Sequence, residues 1–181
     1  MLSCALTVSC SRGKTGTVEL DAGALPNLHG EDIISLISDS GITRLRLITK
    51  AQDIYSNDTN AYWHFPKGIY VEQFDSLFQV TGHVKADTAY RYDKTGLWRL
   101  IGNVFLENVE GTTCETSELF WREKEPAFSN NSIYTDKFVK ITTKDKIITA
   151  QGMKSNQSLT DYVFYGNALE TTIDEDKSGP E

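Results

Sequence analysis

Hydrophobic and polar residues alternate along much of the chain, most regularly in LWRLIGNVFLEN, residues 97–108. In an extended chain every second residue falls on the same side, and one side here carries Trp98, Leu100, Gly102, Val104 and Leu106. Arg99, Asn103 and Glu107 fall on the other side. This period of two predicts a long β-strand with one buried face. The glycine in its middle predicts a bend or a space for an apolar ligand.

Shorter strands are predicted before and after this one. The segment DIISLISDSGITRLRLITKA, residues 32–51, has two apolar runs around Asp39-Ser40-Gly41, which is a turn sequence typical of a hairpin. Leu45 and Leu47 share one side of its second run. A helix over residues 31–38 is an alternative, because the first run is short. The whole chain predicts about eight to twelve antiparallel strands and no convincing helix, and therefore an all-β sandwich, roll or barrel.

Composition narrows the classes of function. With 181 residues, of which 39% are hydrophobic, the chain is large enough for one domain with its own core. Its formal net charge is −7 and its pI is about 5.0. Binding to nucleic acid or to a bare anionic membrane needs clustered Lys and Arg, and no such cluster occurs. Both kinds of partner are therefore disfavoured.

Catalytic chemistry has little support in the sequence. None of the familiar nucleophile, metal-protease or phosphate-binding motifs occurs. His83 and Asp87 are four residues apart, which in a strand means about 13 Å and is too far for one metal ion. Acid pairs for glycoside hydrolysis could lie among the Glu-rich segments, because distances between strands cannot be read from a sequence. We expect no enzyme activity, no metal and no cofactor.

The first ten residues, MLSCALTVSC, form a short apolar run that ends at a cysteine. A nine-residue helix reaches about 13.5 Å and cannot cross a bilayer core of ~30 Å. Small residues before Cys10 and polar residues after it are similar to a bacterial lipobox, in which the cysteine is lipidated and becomes the mature N-terminus. We expect Cys10 to be a lipid anchor at the end of a signal sequence, residues 1–10, whose charged start is missing. An unmodified cysteine is the alternative.

The rest of the chain divides by composition. Residues 11–31 are small, polar and rich in glycine, which predicts a tether. Residues 32–170 contain the predicted strands, and residues 171–181 form a polar tail. Cys114 has only the leader cysteines as possible disulfide partners, so we expect a buried apolar residue there.

Six segments, taken in order, resemble the LptC family of lipopolysaccharide-export proteins. They are SDSGITRLRL, FPKGIYVEQF, VKADTAYRYDKTGLWRLIGNVFLEN, TSELFWRE, IYTDKFVKI and ITAQGMKS. The third and fourth segments also resemble the module shared by periplasmic lipopolysaccharide-transport proteins, and the first two are most similar to Bacteroidetes members. The resemblance covers residues 33–170. Many family members have an uncleaved transmembrane helix at the front, and a lipid on Cys10 would replace it here.

This resemblance implies a fold and a role. The fold would be a twisted, open β-roll of about ten or more antiparallel strands, anchored at the inner membrane and projecting into the periplasm. It would receive lipopolysaccharide from the inner-membrane ABC transporter complex and pass it to an LptA-like periplasmic bridge protein. Open sheet edges would pair with these partners. We expect the transporter edge at Ile33, Ile34 and Ile37, and the bridge edge at Tyr162 and Phe164.

Transport of acyl chains through water requires a continuous apolar trough, because each CH₂ left in water costs roughly 0.8 kcal/mol. Inward side chains of the strands would supply it, although each of them could equally be an ordinary core residue. The expected trough residues are Leu45, Leu47, Trp98, Leu100, Val104, Leu106, Leu119, Trp121 and Ile141. A lipid-anchored periplasmic β-domain that binds protein or carbohydrate without lipid transfer is the alternative function.

Overall fold

The computed structural model describes residues 25–56 and 61–173, and these residues form β-strands and turns without any helix. All the strands are antiparallel and join in one hydrogen-bonded sheet. They are β1 (Leu28–Asp39), β2 (Ile42–Tyr55), β3 (Tyr62–Phe65), β4 (Ile69–Phe74), β5 (Val80–Ala86), β6 (Thr88–Tyr92), β7 (Leu97–Asn108), β8 (Thr113–Arg122), β9 (Ile133–Thr135), β10 (Val139–Thr142), β11 (Lys146–Ala150), β12 (Gly152–Ser155), β13 (Tyr162–Tyr165) and β14 (Leu169–Thr172). The predicted all-β class and open β-roll are confirmed.

The sheet is divided into two leaves, because the long strands change partners halfway along. Strand β2 pairs first with β4 and then with β3, and β7 pairs first with β6 and then with β5. Strand β8 pairs first with β10 and then with β9. Leaf A therefore consists of the end of β2, β3, β6, the start of β7, the end of β8, β9, β12 and β13. Leaf B consists of the start of β2, β4, β5, the end of β7, the start of β8, β10, β11 and β14.

The chain bends where one leaf passes into the other. Residues 66–68 separate β3 from β4, Asp87 separates β5 from β6, and Gly102 and Asn103 form a bulge in β7. Gly102 and Asn103 have φ angles of 77° and 44°, in the left-handed region. A Cβ on Gly102 would lie 2.6 Å from Oδ2 of Asp87, and Asn103 Nδ2 donates a hydrogen bond of 2.7 Å to the same oxygen. The sequence predicted either a bend or a space for an apolar ligand at Gly102. The structure shows the bend, since Asp87 fills the space beside Gly102.

Inward side chains of both leaves form one hydrophobic core. Trp98 is 1% exposed, and its ring stacks on Phe65 with centroids 5.8 Å apart and on Trp121 with centroids 5.7 Å apart. Cys114 is fully buried, as expected, and burial raises the pKa of its thiol to about 12. The alternation read from the sequence therefore does identify the inner face of these strands.

The N-terminal hairpin is confirmed, with Ser40 and Gly41 at positive φ in the turn between β1 and β2. The helical alternative for residues 31–38 is wrong, because β1 pairs with β2 along nearly its whole length. Strand β1 begins at Leu28, so the end of the predicted tether, residues 11–31, belongs to the β-domain. Strand β14 likewise extends beyond the predicted domain end at residue 170. Cys10 lies outside the described residues.

Candidate functional site

An apolar cavity lies between the two leaves. Its space for a water-sized sphere is about 80 Å³, well below the roughly 300–1,000 Å³ of typical ligand pockets, so the leaves must move apart before a large ligand can enter. Leaf B contributes Leu45, Ile69, Val71, Val84 and Leu106 to the wall, and leaf A contributes Trp98, Leu100, Leu119, Trp121 and Ile133. Strand alternation explains this wall, because it turns every second side chain of each leaf towards the other leaf.

Polar residues surround one end of the cavity, at the start of β5 and the end of β7. Asn108 Nδ2 donates a hydrogen bond of 2.8 Å to the carbonyl of Ser158, which joins leaf B to the loop between β12 and β13. His83 and Glu107 alternate with the inward Val84 and Leu106, so their pair, with Nε2 of His83 3.4 Å from a carboxylate oxygen of Glu107, lies on the outer face of leaf B. The cavity thus has an apolar interior and a polar end, which suits an amphipathic ligand.

The two stacked tryptophans of the wall differ in their N–H groups. Trp98 Nε1 donates a hydrogen bond of 2.8 Å to Glu123, which also pairs with Arg91 at 2.6 Å. Trp121 Nε1 is buried and has no hydrogen-bond partner within residues 25–56 and 61–173. A buried donor without a partner costs about 1–3 kcal/mol. The indole N–H of Trp121 is thus enclosed by its neighbours rather than exposed on the wall of the cavity.

The predicted trough residues separate into two groups. Those that line the cavity are Leu45, Trp98, Leu100, Leu106, Leu119 and Trp121. Leu47, Val104 and Ile141 do not line the cavity and are enclosed in the hydrophobic core. Alternation predicts which face is inside, but it does not predict where the leaves separate enough to leave a space.

Four apolar wall residues were not among the predicted ones, namely Ile69, Val71, Val84 and Ile133. The signal for the first two was present, since they alternate with polar residues in IYVEQF as regularly as Leu45 and Leu47 do in their own strand.

The predicted sheet edges occur at the expected places. In the described part of the chain, β1 pairs only with β2, and β13 and β14 pair only with β12 and β11. Ile34 is 68% exposed on β1, whereas Ile33 and Ile37 are half-buried. Tyr162 and Phe164 pack against the core. The exposed apolar side chains of the last edge are instead those of Val163 and Leu169.

Other kinds of site find little support among the described residues. No cluster of three metal-ligating side chains occurs in residues 25–56 and 61–173. His83 and Asp87 have separate partners, Glu107 and Asn103. None of the described segments is a helix that could cross a membrane.

No protein-family model matches the chain, and neither does any curated protein.

Proposed function

We propose that this protein is an LptC-like component of lipopolysaccharide export, which receives lipopolysaccharide from an inner-membrane ABC transporter and passes it to a periplasmic bridge protein. The observation that carries the proposal is the apolar cavity between the leaves, with polar groups at one end. Acyl chains of lipid A would enter between the leaves as the leaves move apart, and the polar part of the molecule would remain outside.

The size of the hydrophobic effect supports this use of the cavity. Burial of one CH₂ contributes about 0.8 kcal/mol, so a dozen methylenes contribute on the order of 10 kcal/mol. That is enough to hold a chain during transfer. Release requires weaker binding, and the part of the cavity that is open to solvent reduces the area that each chain buries. A cleft of this kind favours transfer over permanent storage.

The open edges of the sheet provide binding sites for the two partners, the transporter and the bridge protein. An edge strand presents unpaired backbone N–H and C=O groups, and a neighbouring β-domain can add a strand to it. In our proposal β1 pairs with a periplasmic β-domain of the transporter, and β13 and β14 pair with the bridge protein. A lipid on Cys10 would hold the N-terminal end of the roll close to the inner membrane.

Photo-crosslinking in cells that make lipopolysaccharide tests the proposal. A photoreactive residue in place of Leu45 or Leu100, both in the cavity wall, should capture lipopolysaccharide. The matched control is Arg99, the neighbour of Leu100 on the opposite face, where Nη2 of Arg99 lies 2.6 Å from a carboxylate oxygen of Glu118. Val104 is buried away from the cavity and should capture little. Capture at Arg99 but not at Leu100, or at none of these positions, would contradict lipid transfer through the cavity.

One feature favours carbohydrate binding as a second candidate function. Aromatic rings form stacked pairs on the outer face of leaf A, with centroids 4.6 Å apart for Tyr55 and Tyr62 and 4.4 Å apart for His64 and Tyr90. Such rings offer flat apolar surfaces, as sugar-binding sites do. If Tyr62→Ala abolished binding to a polysaccharide and no lipid were captured in the cavity, this second function would replace the first.

A further inference from the structure

Both leaves end in turns on the side away from the bend, and we call these turns the rim. The rim consists of the turns of leaf B at residues 75–79 and 109–112 and the loops of leaf A at residues 123–132 and 156–161. The hydrogen bond from Asn108 to Ser158 joins its two halves beside the polar end of the cavity.

Large apolar side chains are exposed on both halves of the rim. Leaf B contributes Leu77, Phe78 and Val109, and leaf A contributes Phe128, which is 82% exposed. A contiguous exposed apolar surface typically marks a site of contact with a partner or a membrane. The rim is therefore a candidate interaction surface.

The turn at residues 75–79 holds its apolar side chain outward at a cost. Oδ1 of Asp75 accepts hydrogen bonds from the backbone N–H groups of Leu77, at 2.8 Å, and Gln79, at 2.9 Å. Phe78 has φ of 61°, which is unfavourable for a bulky residue, and its ring stacks on Phe74 with centroids 4.4 Å apart. Backbone strain of this kind is concentrated at functional sites. The exposure of Leu77 is thus a fixed property of the turn.

The shape of the rim suits a fluid surface. Its apolar side chains protrude from separate turns, and turns present no strand edge to which a partner could add a strand. A protein partner would need a complementary buried surface of about 800 Å² on each side. A lipid surface instead adapts to separate protrusions, as it does to the apolar face of an interfacial helix.

The charge of the rim restricts the kind of lipid. Its turns contain one basic residue, Lys124. Its acidic residues are Asp75, Glu110, Glu123, Glu125 and Asp161. An acidic surface is repelled by anionic headgroups, so contact with a bilayer has to come from apolar side chains and favours neutral or zwitterionic lipids.

Strand β1 begins at the same end of the molecule. Leu28 pairs with Ile54, and the register across leaf A continues from there to Ile133, next to the loop at residues 123–132. The proposed lipid on Cys10 would therefore hold the rim, rather than the bend, towards the membrane.

We infer that the rim docks on a bilayer of neutral or zwitterionic lipids, with Leu77, Val109 and Phe128 inserted at the interface. Removal of their apolar surface from water drives the contact. Docking brings the polar end of the cavity next to the lipid headgroups, where the leaves separate. The contact itself does not require transport of lipopolysaccharide, so the inference goes beyond the proposed function and is tested separately from it.

Quenching by brominated lipids tests the docking. A fluorescent amino acid replaces Phe128 on the rim or, as the matched control, Phe138, which is an exposed phenylalanine at the bend between β9 and β10. The full chain is mixed with phosphatidylcholine vesicles whose acyl chains carry bromine. We expect quenching at position 128 and none at position 138.

A double variant tests which side chains insert. Leu77→Ser with Val109→Ser, in the chain labelled at position 128, should raise the lipid concentration for half-maximal quenching about tenfold, because interfacial binding scales with the buried apolar area. Phe138→Ser in the same labelled chain should leave it unchanged. Replacement of half of the phosphatidylcholine by phosphatidylglycerol should also weaken the quenching. Near-ultraviolet circular dichroism checks that each variant is folded.

Several results would overturn the inference. Equal quenching at positions 128 and 138 would show that the rim is not the contact surface. Sedimentation of the chain with vesicles but without quenching at position 128 would show that another segment binds the lipid. Stronger quenching with phosphatidylglycerol would show that charge drives the contact. Capture of lipopolysaccharide at Leu100 without quenching at position 128 would refute docking through the rim and leave the proposed function intact.

Discussion

Replacement of Gly102 by alanine tests whether the bend of β7 is set by a close contact at the boundary between the leaves. At this position φ is 77°, and a Cβ would lie 2.6 Å from Oδ2 and 3.0 Å from Cβ of Asp87. Rotation of the Asp87 side chain relieves the first contact. It does not relieve the second, because the Cβ is attached to backbone that itself donates a hydrogen bond of 2.9 Å to the Gly102 carbonyl.

Two contributions make up the expected loss of stability. A left-handed conformation costs an L-residue roughly 1–2 kcal/mol. Displacement of Asp87 also weakens its hydrogen bond to Asn103, and a hydrogen bond typically contributes about 0.5–1.5 kcal/mol. These two add to about 1.5–3.5 kcal/mol, and steric strain at the remaining contact with Asp87 Cβ raises the expected loss in the free energy of unfolding of Gly102→Ala to about 2–4 kcal/mol.

Gly111→Ala is the matched control, since Gly111 has φ of 80° but nothing within 4 Å of a built Cβ. It should lose only the conformational contribution of roughly 1–2 kcal/mol. Urea unfolding followed by fluorescence measures both variants. With an m-value of about 2 kcal/mol/M, the midpoint of Gly102→Ala should lie about 0.5–1 M below that of Gly111→Ala.

Equal midpoints for the two alanine variants would refute the reasoning. The contact with Asp87 would then contribute nothing, and the bend would have to be set elsewhere in the sheet. Loss of lipopolysaccharide capture at Leu100 in Gly102→Ala alone, with both variants folded, would further indicate that this bend sets the width of the cavity.

Two further predictions concern the partners and the anchor. The double variant Ile34→Lys, Leu36→Lys should no longer co-purify with the transporter but should still bind the bridge protein, and Val163→Lys with Leu169→Lys should do the reverse. All four side chains are exposed, so both variants should fold. Loss of both partners from either variant would contradict separate edges. Cys10 should carry a lipid in the mature protein, and mass spectrometry of the N-terminal peptide measures this. An unprocessed leader would contradict a lipid anchor at Cys10.

Alternation was sufficient to predict the class of fold and the inner face of its strands. Trp98, Leu100 and Leu119 were predicted to face inward, and each of them lines the cavity. Val104 has the same periodicity, but it follows directly on the bulge in β7 and is enclosed by the core. Whether an inward residue lines the cavity depends on how far apart the two leaves are at that residue. Contacts between distant strands set this distance, and the sequence of a single strand does not indicate it.

Contacts between segments were beyond sequence reasoning for the same reason. Asp87 lies against Gly102 because two different strands bend at the same level, and nothing near either residue in the sequence indicates this. Similarly, Trp98 and Trp121 are both tryptophans with alternating neighbours. Only the position of Glu123 determines that one indole N–H is paired and the other is not.

In the described part of the chain, each strand pairs with strands at most three places away along the chain, such as β4 with β5, β3 with β6 and β9 with β12. A chain that emerges N-terminus first can pair β1 with β2 early, whereas β3 and β9 gain their second partners only when β6 and β12 arrive. The edge next to the N-terminal segment is thus made first, and the edge formed by β13 and β14 becomes available only when synthesis and delivery are complete.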